Sequence, residues 1–200
     1  LGDVYKRQSY DLDRRMATRE DIENLKAQGI DLKLDFILNH LSVLSPQFQD
    51  ILQKGDDSPY RDFFIDWNKF WAGCGEMTAE GYIQPEPRYI REMFFRKPGL
   101  PILMARLPDG REVPYWNTFY QQVDVDGNGR KHYLGQMDLN LNSPLVWDYY
   151  DETLRRLADY GAAIVRLDAF AYAPKAPGRR NFLNEPETWQ VLDRVKQITG

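Results

Sequence analysis

The stretch that decides the fold runs from Tyr160 to Lys175, "YGAAIVRLDAFAYAPK". After Gly161 comes an apolar run, Ala162 to Val165, which leads directly into Arg166-Leu167-Asp168. A short apolar run of this kind reads as a buried strand. Side chains at i and i+2 of a strand point to one face, so Arg166 and Asp168 are neighbours at its end. A lone carboxylate is costly to bury there, and a partnered one less so. The pair is either a structural ion pair or part of a reactive site, and the strand alone leaves both readings open.

Helical patterns flank this strand. Upstream, "SPLVWDYYDETLRRLADYG" is amphipathic, with Val146, Tyr149, Tyr150, Leu154 and Leu157 as its stripe. Ser143 is its expected cap, Pro144 sits in its first turn and Gly161 supplies the stop. Downstream, "NEPETWQVLDRVKQI" predicts a second helix, with Asn184 capping and Pro186 in the first turn. Near the start, "TREDIENLKAQGI" predicts another, with Thr18 and Asp21 in a capping-box arrangement, Ile22 and Leu25 as the stripe and Gly29 as the stop. "DLKLDFILNH" alternates and then turns apolar, a strand ending near Asn39-His40. Strands separated by helices imply a parallel α/β sheet. Both strands end in polar residues, and carboxyl ends of parallel strands are where sites gather.

From Leu41 to about Leu145 the alternation is lost, and aromatics, Pro and Gly dominate: "DFFIDWNKFW", "REMFFRKPGLP", "VPYWNTFYQQVDVDGNG". This length argues for a functional insertion rather than a connection. Within it "DVDGNG", Asp124 to Gly129, imitates the opening of a calcium loop. The twelfth position is Gly135 instead of a bidentate Glu, so a Gly-rich turn is the better reading. Glu185, beside Pro186 at a helix start, answers the helix dipole.

The chain has 200 residues and a formal net charge of -4, which argues against nucleic acid or an anionic membrane as partner. Cys74 is its one cysteine, so no internal disulfide can form, which fits a reducing cytoplasm. No apolar run suggests a membrane span. The opening residues 1–8, "LGDVYKRQ", lack any pattern leading into Ser9 and the residues after it, and read as a non-native leader.

"LDFILNH" and "RLDAFAY" resemble two signature segments of the α-amylase clan of glycoside hydrolases and transglycosidases. "NHLSVLSPQFQDILQKGDDSPYRDFFIDWNKFW", "KPGLP", "QQVDVD" and "RLDAFAYAPK" extend the resemblance to the clan's sucrose phosphorylase branch. The resemblance implies part of a (β/α)8 TIM barrel, about strands 3–4 and their flanking helices, with a long subdomain inserted after strand 3. Residues 9–40 would hold helix 2 and strand 3, 41–145 the inserted subdomain B, and 146–200 helix 3, strand 4 and helix 4.

The resemblance also implies a chemistry. Asp168 would be the nucleophile that forms a covalent glucosyl-enzyme from sucrose or a related α-glucoside. Arg166 would orient Asp168 and keep it ionised, as a nearby cation does. A separate acid would protonate the leaving oxygen, with the two carboxyls roughly 5–5.5 Å apart for retention of configuration. Inorganic phosphate would be the acceptor and glucose 1-phosphate the product. Water as acceptor, or a barrel that only binds, are the alternatives. His40 would hydrogen-bond a glucose hydroxyl, Tyr172 would lie along the sugar, and Phe119 would pack near the acceptor side. Lys97 and Arg96 are the candidates to meet the acceptor. Asp35 and Asn39 would be structural. The Asn position binds calcium in amylases, but no metal and no cofactor are expected here. The expected partners are the small α-glucoside and phosphate, in the cytoplasm, with the oligomeric state open. The general acid, a Glu, would end a fifth strand beyond Gly200. The chain is therefore expected to be an internal fragment, inactive by itself.

Overall fold

The computed structural model describes residues 9–199. The expected leader, residues 1–8, lies outside them. Thr18 and Asp21 close a capping box over α1 (Arg19–Ala27): Thr18 Oγ1 accepts from the Asp21 amide, and the Asp21 carboxylate accepts from Thr18 N at 2.7 Å. Ile22 is buried, Leu25 is half-buried, and Gly29 turns the chain at φ 75°.

β1 (Leu32–Ile37) then runs parallel to β9 (Ala162–Asp168), with Asp35 opposite Arg166 and Ile37 opposite Asp168. β1 stops at Ile37, short of the expected Asn39-His40. His40 instead opens β2 (His40–Ser42), which pairs antiparallel with β8 (Lys131–Asp138) in a different sheet, His40 opposite Asp138. The two sheets thus meet at Leu38-Asn39. Tyr150 Oη fixes this corner by donating to Leu38 O.

Between β1 and β9 the backbone is built of short helices and antiparallel pairings. α2 (Pro46–Lys54), capped by Ser45, and α3 (Trp67–Phe70), capped by Asp66, precede a hairpin of β3 (Gly75–Met77) and β4 (Ile83–Pro85). α4 (Pro87–Ile90) leads to a second hairpin, β5 (Ile102–Arg106) with β6 (Glu112–Trp116). β7 (Gln121–Val125) pairs with β8, making a sheet ordered β2-β8-β7. Asp124 to Gly129 ends β7 and forms the turn into β8, where Asp126 Oδ1 accepts from Asn128 N and Arg130 N.

One core joins both regions. Phe36 and Leu38 pack with Phe48, Phe63, Phe64, Met137 and Leu139, and with Tyr150 and Leu154 of α5 (Pro144–Asp159). A satellite cluster stacks Trp67, Trp71 and Trp116, ring centroids 4.8–6.1 Å apart, with Ile65 and Ile83. α5 buries the predicted stripe, with Tyr149 only half-buried. Ser143 stands at its N-cap, but its side chain makes no capping bond.

Two further expectations need correction. The Asn184 side chain does not cap the last helix, α6 (Glu187–Thr199), because its Oδ1 accepts no hydrogen bond. Its Nδ2 donates to Pro174 O and Arg180 O, so the side chain ties a loop together while its carbonyl accepts from Thr188 N. Nor is β9 fully buried. Ile164 is 57% exposed, and the Arg166 and Asp168 side chains are half-exposed. The reason is the sheet: among the described residues β1 and β9 pair only with each other. Their Leu34, Phe36, Val165 and Leu167 face packs on the core, while among the described residues the face bearing Asp35, Ile164, Arg166 and Asp168 is the more exposed one. Among the described residues no helix is long and apolar enough to cross a membrane.

Candidate active site

Because β1 and β9 are parallel, Ile37 and Asp168 emerge at the same end of the pair. Directly after Asp168, Ala169 takes a left-handed φ of 55°, which a residue with a Cβ adopts rarely. This reverses the chain into the tight turn Phe170–Tyr172. A cleft of about 510 Å³ opens there, lined by Ile37, His40, Arg96, Phe119, Gln136, Asp168, Tyr172 and Phe182 among others. It therefore gathers Asp168, His40, Phe119, Tyr172 and Arg96 from the sequence candidates.

The rings form a continuous wall. His40 lies 4.8 Å from Phe119, Phe119 5.2 Å from Tyr172, and Tyr172 4.8 Å from Phe182. Such a wall suits the weakly apolar C–H face of a sugar. His40 is buried, with Gln136 Nε2 3.0 Å from its Nε2 and Asn39 Nδ2 3.4 Å from its Nδ1. Arg96 lies 5.0 Å over the Phe119 ring, with Nη1 3.4 Å from Tyr172 Oη.

Lys97 sits elsewhere. Its Nζ donates to Asn117 Oδ1 at 2.6 Å, away from the cleft lining. Burial pushes its ammonium pKa down, against the pull of Asp138. Of the two basic candidates, only Arg96 faces the cleft.

Arg166 also differs from expectation in its main partner. Its Nε and Nη2 donate to Asp35 Oδ1 and Oδ2 at 2.7 and 2.8 Å, and Nη2 stands 3.9 Å from Asp168 Oδ2. The Asp35 bonds, more than the Asp168 charge, raise the guanidinium's pKa. Spacing within one strand cannot reveal this, because the parallel register is what sets Asp35 beside Arg166.

Beneath the cleft lies a buried polar cluster that sequence reasoning missed. Lys175 Nζ reaches Asp138 Oδ2 at 2.9 Å, Asn39 Oδ1 at 2.9 Å and Tyr172 O at 2.5 Å, with side chains 1% and 0% exposed for Lys175 and Asp138. Asp138 also accepts from Asn39 Nδ2 at 3.0 Å, Thr118 N at 2.9 Å and Thr118 Oγ1 at 2.5 Å. Burial drives the Lys175 pKa down and Asp138 holds it up. The cluster locks Tyr172 and the β2–β8 corner carrying His40 to one anchor. Among the described residues no group of three or more His, Cys, Asp or Glu side chains could hold a metal.

The alpha-amylase model "Alpha amylase, catalytic domain" matches residues 8–199. The chain belongs to the alpha-amylase catalytic-domain family. A catalytic domain of this family is a (β/α)8 barrel, and this chain has mixed α/β content. It is 58% identical to a sucrose 6(F)-phosphate phosphorylase of Ilumatobacter coccineus over 95% of its length, and 30% identical to a sucrose phosphorylase of Streptococcus mutans over 96%. The chain spans 36% and 35% of those two relatives, about a third of their length. The crystal structure of sucrose 6F-phosphate phosphorylase from Thermoanaerobacter thermosaccharolyticum superposes with a TM-score of 0.74 at 32% identity, covering 96% of this chain and 36% of that one.

Proposed function

We propose that the full-length protein is a retaining α-glucosyl transferase that cleaves sucrose, or a sucrose bearing a phosphate on its fructosyl part, with inorganic phosphate as acceptor. The observation that carries this reading is Asp168 opening onto an aromatic-walled cleft with the Arg96 guanidinium in its lining. The activities of the similar phosphorylases support the choice of acceptor.

In the first step an Asp168 carboxylate oxygen attacks the anomeric carbon, and the bond from that carbon to the fructosyl oxygen breaks. The departing oxygen takes its proton from an acid outside this chain. In the second step a phosphate oxygen attacks the same carbon from the vacated side, gives its proton to that residue, and releases Asp168. Two inversions leave the α configuration in glucose 1-phosphate. Asp35, through Arg166, fixes a positive charge beside the nucleophile. His40 binds a glucose hydroxyl, and Tyr172 and Phe119 pack along the ring. Arg96 meets the acceptor anion.

In this reading β1 and β9 are barrel strands 3 and 4, and residues 41–145 are the subdomain inserted between them. No calcium is required, because the Lys175 ammonium already occupies the oxygens of Asn39, Asp138 and Tyr172 that a hard cation would take. A cytoplasmic location fits the single cysteine.

The test is an assay of the full-length protein on sucrose and on sucrose 6F-phosphate, with and without inorganic phosphate. Glucose 1-phosphate should form only with phosphate, and Asp168→Asn should abolish it. Release of free glucose at the same rate without phosphate would make the protein a hydrolase instead.

A further inference from the structure

Asn181 and Phe94 are 87 residues apart in sequence, yet they pair as two backbones would. Asn181 Oδ1 accepts from Phe94 N at 2.9 Å, and Asn181 Nδ2 donates to Phe94 O at 2.7 Å. Asn181 itself is 2% exposed. Nearby, Gly178 N donates to Tyr89 O at 3.1 Å, so the segment holding Phe94 is stitched twice to the loop after β9.

The stitched pieces carry cleft walls. Arg96 follows Phe94 by two residues, and Phe182 and Leu183 follow Asn181. Phe182 packs on Tyr172, and Leu183 N donates to Ala171 O at 2.8 Å. Arg96 is exposed, and its own contacts in the cleft are a long bond to Tyr172 Oη and a ring face. Such contacts fix a long side chain weakly, so the place of its guanidinium is set mainly by its backbone. That backbone is anchored by Asn181.

We propose that Asn181 is a positioning residue for the anionic acceptor: its amide bridges the two loops and holds Arg96 beside Phe119 and Tyr172 at the mouth of the Asp168 cleft. The inference rests on the reading of Arg96 as the group that meets phosphate. Only a side-chain amide can both accept from Phe94 N and donate to Phe94 O with one planar end. Asp can only accept, Ser is too short to span both, and Ala does neither. Losing the bridge strands two backbone polar groups, which the loop relieves by moving outward to water.

The experiment uses the full-length protein, with sucrose saturating and inorganic phosphate varied. Asn181→Ala should raise the KM for phosphate about tenfold, with a smaller change in kcat. Arg96→Met should raise it as well, and the double variant should be no worse than Arg96→Met alone, because both remove one contact. Asn181→Ser serves where the alanine variant folds poorly, and thermal melts show that each protein assayed is folded. A role in folding alone would lower the active fraction, and so kcat, but leave KM in place. An unchanged KM in Asn181→Ala beside a raised one in Arg96→Met would overturn the inference. So would effects that multiply in the double variant. An unchanged KM in Arg96→Met would instead remove the acceptor role of Arg96 on which the inference stands.

Discussion

Asp35 holds Arg166 with both carboxylate oxygens, at 2.7 and 2.8 Å, while the same guanidinium stops 3.9 Å short of Asp168. The carboxylate that lines the cleft is therefore ion-paired with the arginine at longer range, while the hydrogen bonds go to Asp35. Half-exposed ion pairs of this kind add little to stability. Their effect here is geometric: a bidentate grip holds the guanidinium plane, and the edge turned to Asp168 becomes a charge at a set distance.

Asp35→Asn in the full-length protein should release that grip, since an amide offers one acceptor where the carboxylate offers two. Turnover of the α-glucoside should fall roughly 10- to 100-fold, about 1.4–2.8 kcal/mol in the barrier. The melting midpoint should shift little. Steady-state kinetics beside a thermal melt would check this, and a variant with full turnover and a much lower midpoint would make Asp35 a stability residue only.

Lys175 and Asp138 make the opposite case, a pair shut away from water. Lys175→Met should leave the Asp138 charge uncompensated and destabilise the protein by about 3–5 kcal/mol. Adding Asp138→Asn should recover part of the loss. Urea unfolding of the single and double variants would measure both. A single variant as stable as the parent would show that water or an ion replaces the ammonium at no cost.

The same cluster predicts indifference to chelators. Its three oxygens already surround a positive charge, so EDTA should leave both melting point and activity where they were. A drop that added calcium restored would show a metal that Lys175 does not replace.

What the sequence made legible was local. β9, α1 and α5 arise from apolar periods of a few residues, and their observed ends agree with the Gly and Thr signals. The hairpins between β1 and β9 were hidden because Pro114 sits inside β6 and Gly135 inside β8, and each interrupts the alternation that marks a strand. Gly135 is required by packing: a Cβ there would lie 2.9 Å from Tyr120 O. The cleft candidates came from resemblance, and the structure gathers all but Lys97 of those proposed to contact substrate. Asp138 and Lys175 could not be read, since a buried acid looks like a solvated one until its partner is known. Asn181 was invisible for the same reason.

The turn at Asp126 carries a pH signature. Its hydrogen bond with His132 at 2.9 Å, helped by two backbone amides, lowers the carboxyl pKa to about 2 from an ordinary 3.8. A depressed acid contributes stability that is fully present above 3.8 and is lost as pH falls through about 2. Carboxyl NMR should therefore find Asp126 still ionised at about pH 3, where most surface acids are half protonated or more. His132→Gln should move its titration upward. An ordinary midpoint in the parent would mean that the histidine contact is not held in solution.

The 200-residue chain expressed by itself should behave poorly. Two paired strands are not stable on their own, and among the described residues the core packs against one face of β1 and β9. The other face presents Ile164, 57% exposed, beside the half-exposed Asp35, Arg166 and Asp168. Both outer strand edges offer unpaired backbone groups among the described residues. Association through those edges, or a loosened β1–β9 pair, would relieve the exposure. The core shared with α2, β8 and α5 lies on the opposite side, so part of the structure should outlast that loosening. Calorimetry should then show a broad transition, and the sample should bind an apolar dye and self-associate at micromolar concentration. A single sharp melt from a monomer would show that the shared core alone carries the fold, and that the bare face of the strand pair needs no cover.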